Sequence, residues 1–530
     1  MPPALQRLAD TAAAWPRASA LALGLLSATG FQPIGAWPLA LAAMAGFVAL
    51  IAAAPDPRRA AWLGWLFGWA HFTLSNNWIA AAFTHQANMP AVLGWAAVPL
   101  LATYLAVYPA LAALGTRSLA GRGLRLPLIL AFAGCWTLSE LMRATVFTGY
   151  AWNPFAMVLL GPFDRPGLAA LAPWMGTYAL SGLAVLLASA LALVLAARRW
   201  AAAASSAALL AAGMYLPGPA AREGTIPFTL VQPNLPQALL HDPAFYEANF
   251  AKLAGLSLPS GTGNPARLVL WPESGLADYL QPGLPQRFYD RMTAFGDPER
   301  ARQRIGRVIG ADALLLTGAV DLEIEQGNAV GAYNAVSAIA GDGGVRGSYA
   351  KAHLVPYGEY LPLRPLLEPL GFSRLVPGAI DFLPGPGPQG GAGTLDLGTF
   401  GRAGIQICYE IIFSGQVVQR GARPDYIFNP SNDGWFGAFG PPQHLAQARL
   451  RAIEEGLPVL RSTTTGISAV IDAAGVVRAQ VPMDRASRLD GLVPAAAAPT
   501  LFARLGNWLA LGWTLVFLVP AFVALRRGRR

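Results

Sequence analysis

The chain has 530 residues, of which 54% are hydrophobic and only 13% charged, with a formal net charge of +9. Soluble globular chains carry about 25% charged residues, so much of this apolar surface must be solvated by lipid. Two cysteines cannot form a disulfide framework. Few lysines and no basic stripe interleaved with aromatics exclude nucleic acid as a partner.

In chain order, residues 1–218 are a series of apolar runs with short polar breaks, an expected N-terminal transmembrane domain of about seven helices. The expected spans are roughly 18–34, 36–54, 60–82, 91–115, 125–146, 168–197 and 200–216. The first and seventh are short of the about 20 residues that a spanning helix needs. Arginines mark alternate breaks: Arg58 and Arg59, then Arg117, Arg122 and Arg125, then Arg198 and Arg199. The breaks at 31–37 and 83–90 hold no Lys or Arg. The positive-inside rule then expects both termini in the cytoplasm and residues 225–495 on the opposite side. No cleavage site follows the first run, so it reads as a helix and not as a removed signal. Cys135 lies in an apolar run and reads as membrane packing.

The fifth span ends in "SELMRATVFTGYAWNPF" (139–155). Glu140 and Arg143 are three residues apart there and can pair on one helix face. Ionisable residues inside a span are functional candidates; a structural ion pair is the alternative. A simple anchor needs one or two helices, so a bundle of about eight is expected to have a further task.

Residues 225–495 are mixed, punctuated by Gly and Pro, and carry most of the acids. Near-continuous apolar runs recur at 226–232, 267–273, 311–320, 333–340, 404–410, 425–431, 457–463 and 467–472, with helical stretches such as 243–256 and 442–455 between them. That pattern reads as an α/β fold with sheets covered on both faces. "DGG" (342–344) is a hairpin signal. "GPGPQGG" (385–391) reads as a flexible loop, not a phosphate cradle. Residues 496–530 hold a last apolar run, about 505–525, before the basic cytoplasmic tail "RRGRR".

Three expected strand ends carry reactive groups: Glu273 in "VLWPES", Lys351 in "GSYAKAHLVPYGEYLP" and Cys408 in "GIQICYE". A thiol of pKa near 8.5 is only a few per cent ionised at neutral pH; a nearby ammonium lowers that pKa and a carboxylate can take the proton. The ammonium can also stabilise the oxyanion of a tetrahedral intermediate. Each residue alone has an ordinary reading: a buried cysteine as a small hydrophobe, a loop acid, a solvated strand lysine. His353, two residues from Lys351 and on the same face of an extended strand, is an equally placed activating partner. The five histidines (71, 85, 241, 353, 444) show no metal-ligand spacing, and no dinucleotide or Walker fingerprint is present, so no cofactor is expected.

"WPES", "YAKAHLVPYGEYLP" and "QICYE", in that order, resemble the nitrilase superfamily. That resemblance implies an α-β-β-α sandwich with Glu273 as base, Lys351 as transition-state stabiliser and Cys408 as nucleophile, supported by Glu359. With membrane helices on both sides of such a domain, the chain as a whole is similar to the apolipoprotein N-acyltransferase family. "VQPNLPQ" (231–237), "NPSNDGWFG" (429–437) and "PPQHLAQARLRAIEEGLPVLRSTTTGIS" (441–468) extend the resemblance over nearly the whole chain.

The family resemblance implies Tyr409 and Glu410 as neighbours of the nucleophile, and mobile arms over the site. It implies a bacterial inner-membrane enzyme, expected as a monomer, with its catalytic domain on the periplasmic side. Its acyl donor would be a phospholipid and its acceptor a diacylglyceryl-apolipoprotein. One departure stands out. After "VQPNLPQAL" the family commonly has Lys-Trp, a pair whose Trp touches lipid; this chain has Leu240 and His241. The competing expectations are a membrane-bound hydrolase of C–N bonds using the same triad, and a transporter with a degenerate binding domain.

Overall fold

The computed structural model describes residues 11–12, 14–85, 90–259, 266–371, 373–376, 380–386, 393–419 and 421–527. Most of the expected 385–391 loop and the last three residues of the basic tail lie outside the described residues.

Eight apolar helices account for the expected spans: α1 (Pro16–Ala28), α2 (Trp37–Ala53), α3 (Pro57–Ser75), α4 (Leu93–Leu105) running on into α5 (Val107–Ala120), α6 (Leu126–Arg143), α7 (Ala172–Ala196), α8 (Trp200–Tyr215) and, at the other end of the chain, a helix over Trp508–Arg527. Proline in the first turn starts several of them, where its missing N–H leaves no bond unmade. At α3 the Asp56 carboxylate caps the helix by accepting from Arg59 N at 2.8 Å.

Among the described residues, four stretches are long and apolar enough to cross a membrane: Leu93–Ala120, Leu126–Arg143, Leu168–Ala196 and Trp508–Arg527. Trp37–Ala53 and Trp200–Tyr215 are apolar but shorter. The expected first span overran its helix, which stops at Ala28 before a turn. The expected third span is interrupted after Ser75, where Asn76 and Asn77 turn the chain.

The sheet part holds twelve strands in two six-stranded sheets. One runs β12-β1-β2-β3-β4-β5, built from β1 (Glu223–Gln232), β2 (Leu268–Leu270), β3 (Leu314–Glu325), β4 (Asn328–Ala340), β5 (Val345–Ala350) and β12 (Ser487–Pro494). The other runs β11-β10-β9-β8-β7-β6, from β6 (Gly393–Asp396), β7 (Arg402–Ile405), β8 (Tyr426–Ser431), β9 (Val459–Thr463), β10 (Ser468–Ile471) and β11 (Val477–Val481). All eight expected apolar runs contain a strand. The hairpin at 342–344 joins β4 to β5 as read, with Gly344 N donating to Asp342 Oδ1 at 2.7 Å.

Each sheet is covered by helix. Outside the first sheet, α9 (Tyr246–Ser257) and α10 (Pro298–Ile309) bury Phe250, Leu253, Ile305 and Ile309 against Val231, Val269, Leu315 and Ile339. Between the sheets Leu230, Leu270, Leu316 and Val336 meet Ala403, Ile405 and Tyr426 in one core. Outside the second sheet lies α11 (Gly440–Glu455), all sixteen of whose residues are buried. Leu445, Ala448 and Ala452 join the sheet core, while Ala446, Leu450 and Ile453 join the core of the membrane helices. The order helix, sheet, sheet, helix is the α-β-β-α sandwich, docked through α11 on the apolar bundle. The Trp508–Arg527 helix, α12, packs its Phe517 and Ala521 into that bundle.

Candidate active site

Glu273 leaves β2 through Trp271 and Pro272. Trp271 N donates to Leu316 O at 2.9 Å and Gly318 N to Pro272 O at 3.2 Å, so the segment follows β3 closely. Gly318 permits this, because a Cβ there would lie 2.0 Å from the Glu273 carbonyl oxygen. Lys351 follows the last residue of β5. Its N–H donates to Asn334 O at 2.8 Å, which keeps it beside β4 although the strand has ended. Cys408 stands beyond β7, which ends at Ile405; it opens a 3-10 turn over Cys408–Ile412. The expected strand over 404–410 is therefore shorter than read. Cys408 adopts φ +51°, the left-handed region that costs a non-glycine residue about 1 kcal/mol.

The structure brings these three groups together in a buried site. Lys351 Nζ lies 3.7 Å from Glu273 Oε1 and 3.0 Å from Glu359 Oε1, with all three side chains buried. Asn334 Nδ2 donates to both carboxylates, at 2.7 Å to Glu273 Oε1 and 3.0 Å to Glu359 Oε1. Glu359 Oε2 accepts from Val355 N at 2.8 Å, so Glu359 is fully engaged as a support. Glu273 Oε2 accepts only from Asn432 N, at 2.7 Å, and that same N–H acts on the Cys408 sulfur. One backbone donor thus serves both the base candidate and the thiol.

Charge sets the resting states. Burial works against the Lys351 ammonium, but Glu359, Glu273 and the other acids overcome it and raise its pKa, so it stays charged. Burial pushes the Cys408 thiol well above its ordinary range, Glu273 pushes the same way, and Lys351 only partly opposes them. The expectation that the ammonium lowers the thiol pKa is corrected: burial and the carboxylate outweigh it, and the thiol rests protonated beside a carboxylate. Deprotonation belongs to the moment of attack.

Glu410 anchors the turn from behind. Its Oε1 accepts from Tyr349 OH at 2.9 Å, Ala352 N at 2.9 Å and His353 N at 3.1 Å, and its Oε2 from Ile407 N at 2.8 Å. It ties the Lys351 loop to the Cys408 turn. Burial raises its pKa to about 7, with Lys351 and the donors pulling it down. Tyr409 packs its ring edge on Phe413.

His353 does not share a strand face with Lys351, because β5 ends at Ala350 and the chain bends at 352–353. Its ring stacks on Phe413 at 3.7 Å. Burial and the Lys351 charge pull its pKa down to about 4, so it is a neutral wall of the site. The activating cation beside Glu273 is Lys351.

Glu140 and Arg143 are brought near the site's rear but not to each other. Glu140 Oε1 accepts from Trp136 Nε1 at 3.1 Å and Phe155 N at 2.8 Å. Arg143 Nη1 donates to Tyr150 O at 2.8 Å and Trp152 O at 2.7 Å. The expected pair is replaced by two separate clamps on the 150–155 loop, which returns across the helix end and offers its backbone groups first. His241 is exposed on the chain after β1, and the structure does not bring it to the triad. Gln237, four residues earlier, does reach the site's support, accepting from Asn432 Nδ2 at 2.8 Å.

Sequence reasoning missed the supports Asn334, Asn432, Asp433, His444 and Arg461. Asp433 and His444 sit behind the Cys408 turn: His444 Nε2 is 3.0 Å from Cys408 O, and Arg461 Nη2 donates to both Asp433 oxygens at 2.8 and 2.7 Å. The available signal was polar residues within apolar strands and within a helix, "FNPSND" and "PQHLAQARLR", where each needs a buried partner.

The helical part, over residues 23–190, matches the family model for the apolipoprotein N-acyltransferase N-terminal domain. Residues 234–487 match the carbon-nitrogen hydrolase model. The apolipoprotein N-acyltransferase of Rhodopseudomonas palustris is 35% identical over 539 residues, 97% of this chain and 96% of its own. That of Bradyrhizobium diazoefficiens is 35% identical over 543 residues, 95% of each chain. The amidase from Nesterenkonia sp. AN1 is a solved structure similar to the sheet part, at 15% identity, 52% of this chain, 93% of its own and a TM-score of 0.33. By its full-length identity to these curated acyltransferases, the chain belongs to the apolipoprotein N-acyltransferase family.

Proposed function

We propose that this enzyme transfers an acyl chain from a phospholipid to the α-amino group of the N-terminal diacylglyceryl-cysteine of an apolipoprotein, through a thioester on Cys408. The observation that carries this is a protonated thiol, a carboxylate and an ammonium held in one buried site against apolar helices. Glu273 takes the Cys408 proton as sulfur attacks the sn-1 ester carbonyl. Lys351 and backbone N–H groups hold the oxyanion. The C–O bond breaks, Glu273 returns its proton to the departing lysophospholipid oxygen, and a thioester remains. The acceptor amine then attacks the thioester; Glu273 accepts its proton and restores the thiol. Because the thiol starts neutral, no buried thiolate waits for substrate. Glu359, Tyr409 and Glu410 support the site.

The lipid substrates find support around the mouth. Glu359 belongs to a segment whose Tyr357, Leu363, Leu366 and Leu370 are exposed, and Phe147, 82% exposed, stands just beyond α6. Exposed apolar residues in such number suit contact with acyl chains. The arrangement follows: residues 1–218 as the N-terminal membrane domain, 225–495 as the catalytic domain and 496–530 as the returning helix and tail. Eight crossings of the bacterial inner membrane would place the catalytic domain on the periplasmic side, in a monomer.

Mass spectrometry of the purified protein after exposure to phospholipid micelles tests the reaction. An intact acyl adduct on Cys408, absent from Cys408→Ser, is expected. Steady release of free fatty acid without any acceptor would make the protein a hydrolase instead.

A further inference from the structure

We propose that His444 is a positioning residue for the nucleophile. Through its bond to the Cys408 carbonyl it fixes the peptide joining Cys408 to Tyr409, and so aims the Tyr409 N–H as an oxyanion donor. The inference rests on the acyl-transfer reading above and goes beyond its triad.

The protonation of His444 follows from its partners. A carbonyl oxygen only accepts, so the nitrogen 3.0 Å from Cys408 O must carry the hydrogen: Nε2–H. On the other side Nδ1 lies 3.0 Å from Arg461 Nη2, which only donates. Burial and the Arg461 charge hold the His444 pKa down against the pull of Asp433, which agrees with a neutral ring whose Nδ1 accepts. Arg461 is itself immobile. It donates to both Asp433 oxygens, to Ser431 Oγ at 2.9 Å and to Asn429 Oδ1. The chain Asp433, Arg461, His444, Cys408 O is fully buried at every side chain.

A trans peptide holds its C=O and N–H antiparallel. Fixing the Cys408 carbonyl toward α11 therefore directs the Tyr409 N–H to the opposite side of the same plane. Cys408 also needs an external hold, since its φ of +51° is one that non-glycine residues avoid. The ring of Trp152 lies 5.3 Å from His444, and Trp152 Nε1 donates to Gln443 Oε1 at 2.8 Å. The loop clamped by Arg143 of the membrane part thus packs on the residue that holds the nucleophile's peptide.

Two rates separate positioning from mere structure in the full-length enzyme: acylation of Cys408 by phospholipid in mixed micelles, which develops an oxyanion, and alkylation of Cys408 by iodoacetamide, which does not. In His444→Phe the acylation rate is expected to fall about 100-fold, the scale of losing or misplacing one oxyanion donor. Alkylation stays within about threefold, because thiol access and ionisation are kept. His444→Gln, which keeps a donor near the Nε2 position, regains at least about tenfold of the lost acylation. Equal loss of both rates, or loss of neither, overturns the proposal. Should the phenylalanine variant not fold, the wild-type imidazole 15N shifts decide: Nε2–H at His444 is expected, and Nδ1–H overturns the proposal. A wild type that forms no Cys408 adduct overturns the acyl-transfer reading itself, a result distinct from any failure of the variants.

Discussion

Helices α10 and α11 hold equivalent places, one outside each sheet, and both carry several arginines. On α10 only Ala301, Ile305, Gly306 and Ile309 are buried. Its Arg304 reaches Glu247 at 2.7 and 2.6 Å, with the acid largely in water. On α11 all sixteen residues are buried, and its charges must find protein partners. Arg449 donates to Gly475 O at 2.8 Å, Gly161 O at 3.0 Å, Pro162 O at 2.8 Å and Arg165 O at 2.7 Å. Glu454 Oε1 accepts from Thr177 N at 2.6 Å, Thr177 Oγ1 at 2.6 Å and Ser414 Oγ at 2.8 Å, and its Oε2 pairs with Arg451 Nε at 2.8 Å. The same residue types are solvated decoration on one helix and fasteners on the other. What differs is whether water or a second core lies beyond the outer face.

Three substitutions put that difference to measurement by thermal and denaturant unfolding in micelles. Glu454→Gln leaves Arg451 buried without its counter-charge, and a loss of about 4 kcal/mol is expected, in the range for breaking one side of a buried pair. Arg449→Met fills the space but strands carbonyls of the 161–165 loop, for an expected loss of about 3 kcal/mol. It should also open the 216–223 connection to limited proteolysis before the sheets unfold. Arg304→Leu removes an exposed pair and a cation–π contact over Phe250, and should cost about 1 kcal/mol or less. If Arg304→Leu matched Arg449→Met, the contrast between the two helices would fail.

The same contrast marks where sequence reading succeeds. The central strands were legible because burial on both faces writes a continuous apolar run. The strands absent from those eight runs are β5, β6, β11 and β12, and each is a sheet edge. "VRGSYA", "GTLD", "VRAQV" and "SRLDGLVP" mix exposed polar residues into short, half-covered segments, so no run forms. Glu273, Lys351 and Cys408 could be named because each interrupts a strong pattern at its end. Asn334, Asp433 and Arg461 lie inside patterns and read as tolerated exceptions. Their partners are 25 to 61 residues away, or more, and only the fold brings those together. Glu140 and Arg143 failed differently: spacing on the helix allowed a pair, but the returning loop offered each a closer backbone partner.

Because α11 belongs to two cores at once, the nucleophile's surroundings are completed by the membrane part. Its Ala446, Leu450 and Ile453 have no cover until α7 and its neighbours are packed, and His444 sits on that same helix. Order of assembly therefore becomes a safeguard. A chain whose sheets have formed but whose helices have not inserted presents a greasy helix to chaperones and proteases, and holds its thiol in an unfinished turn. The acylating site matures only where lipid is already at hand.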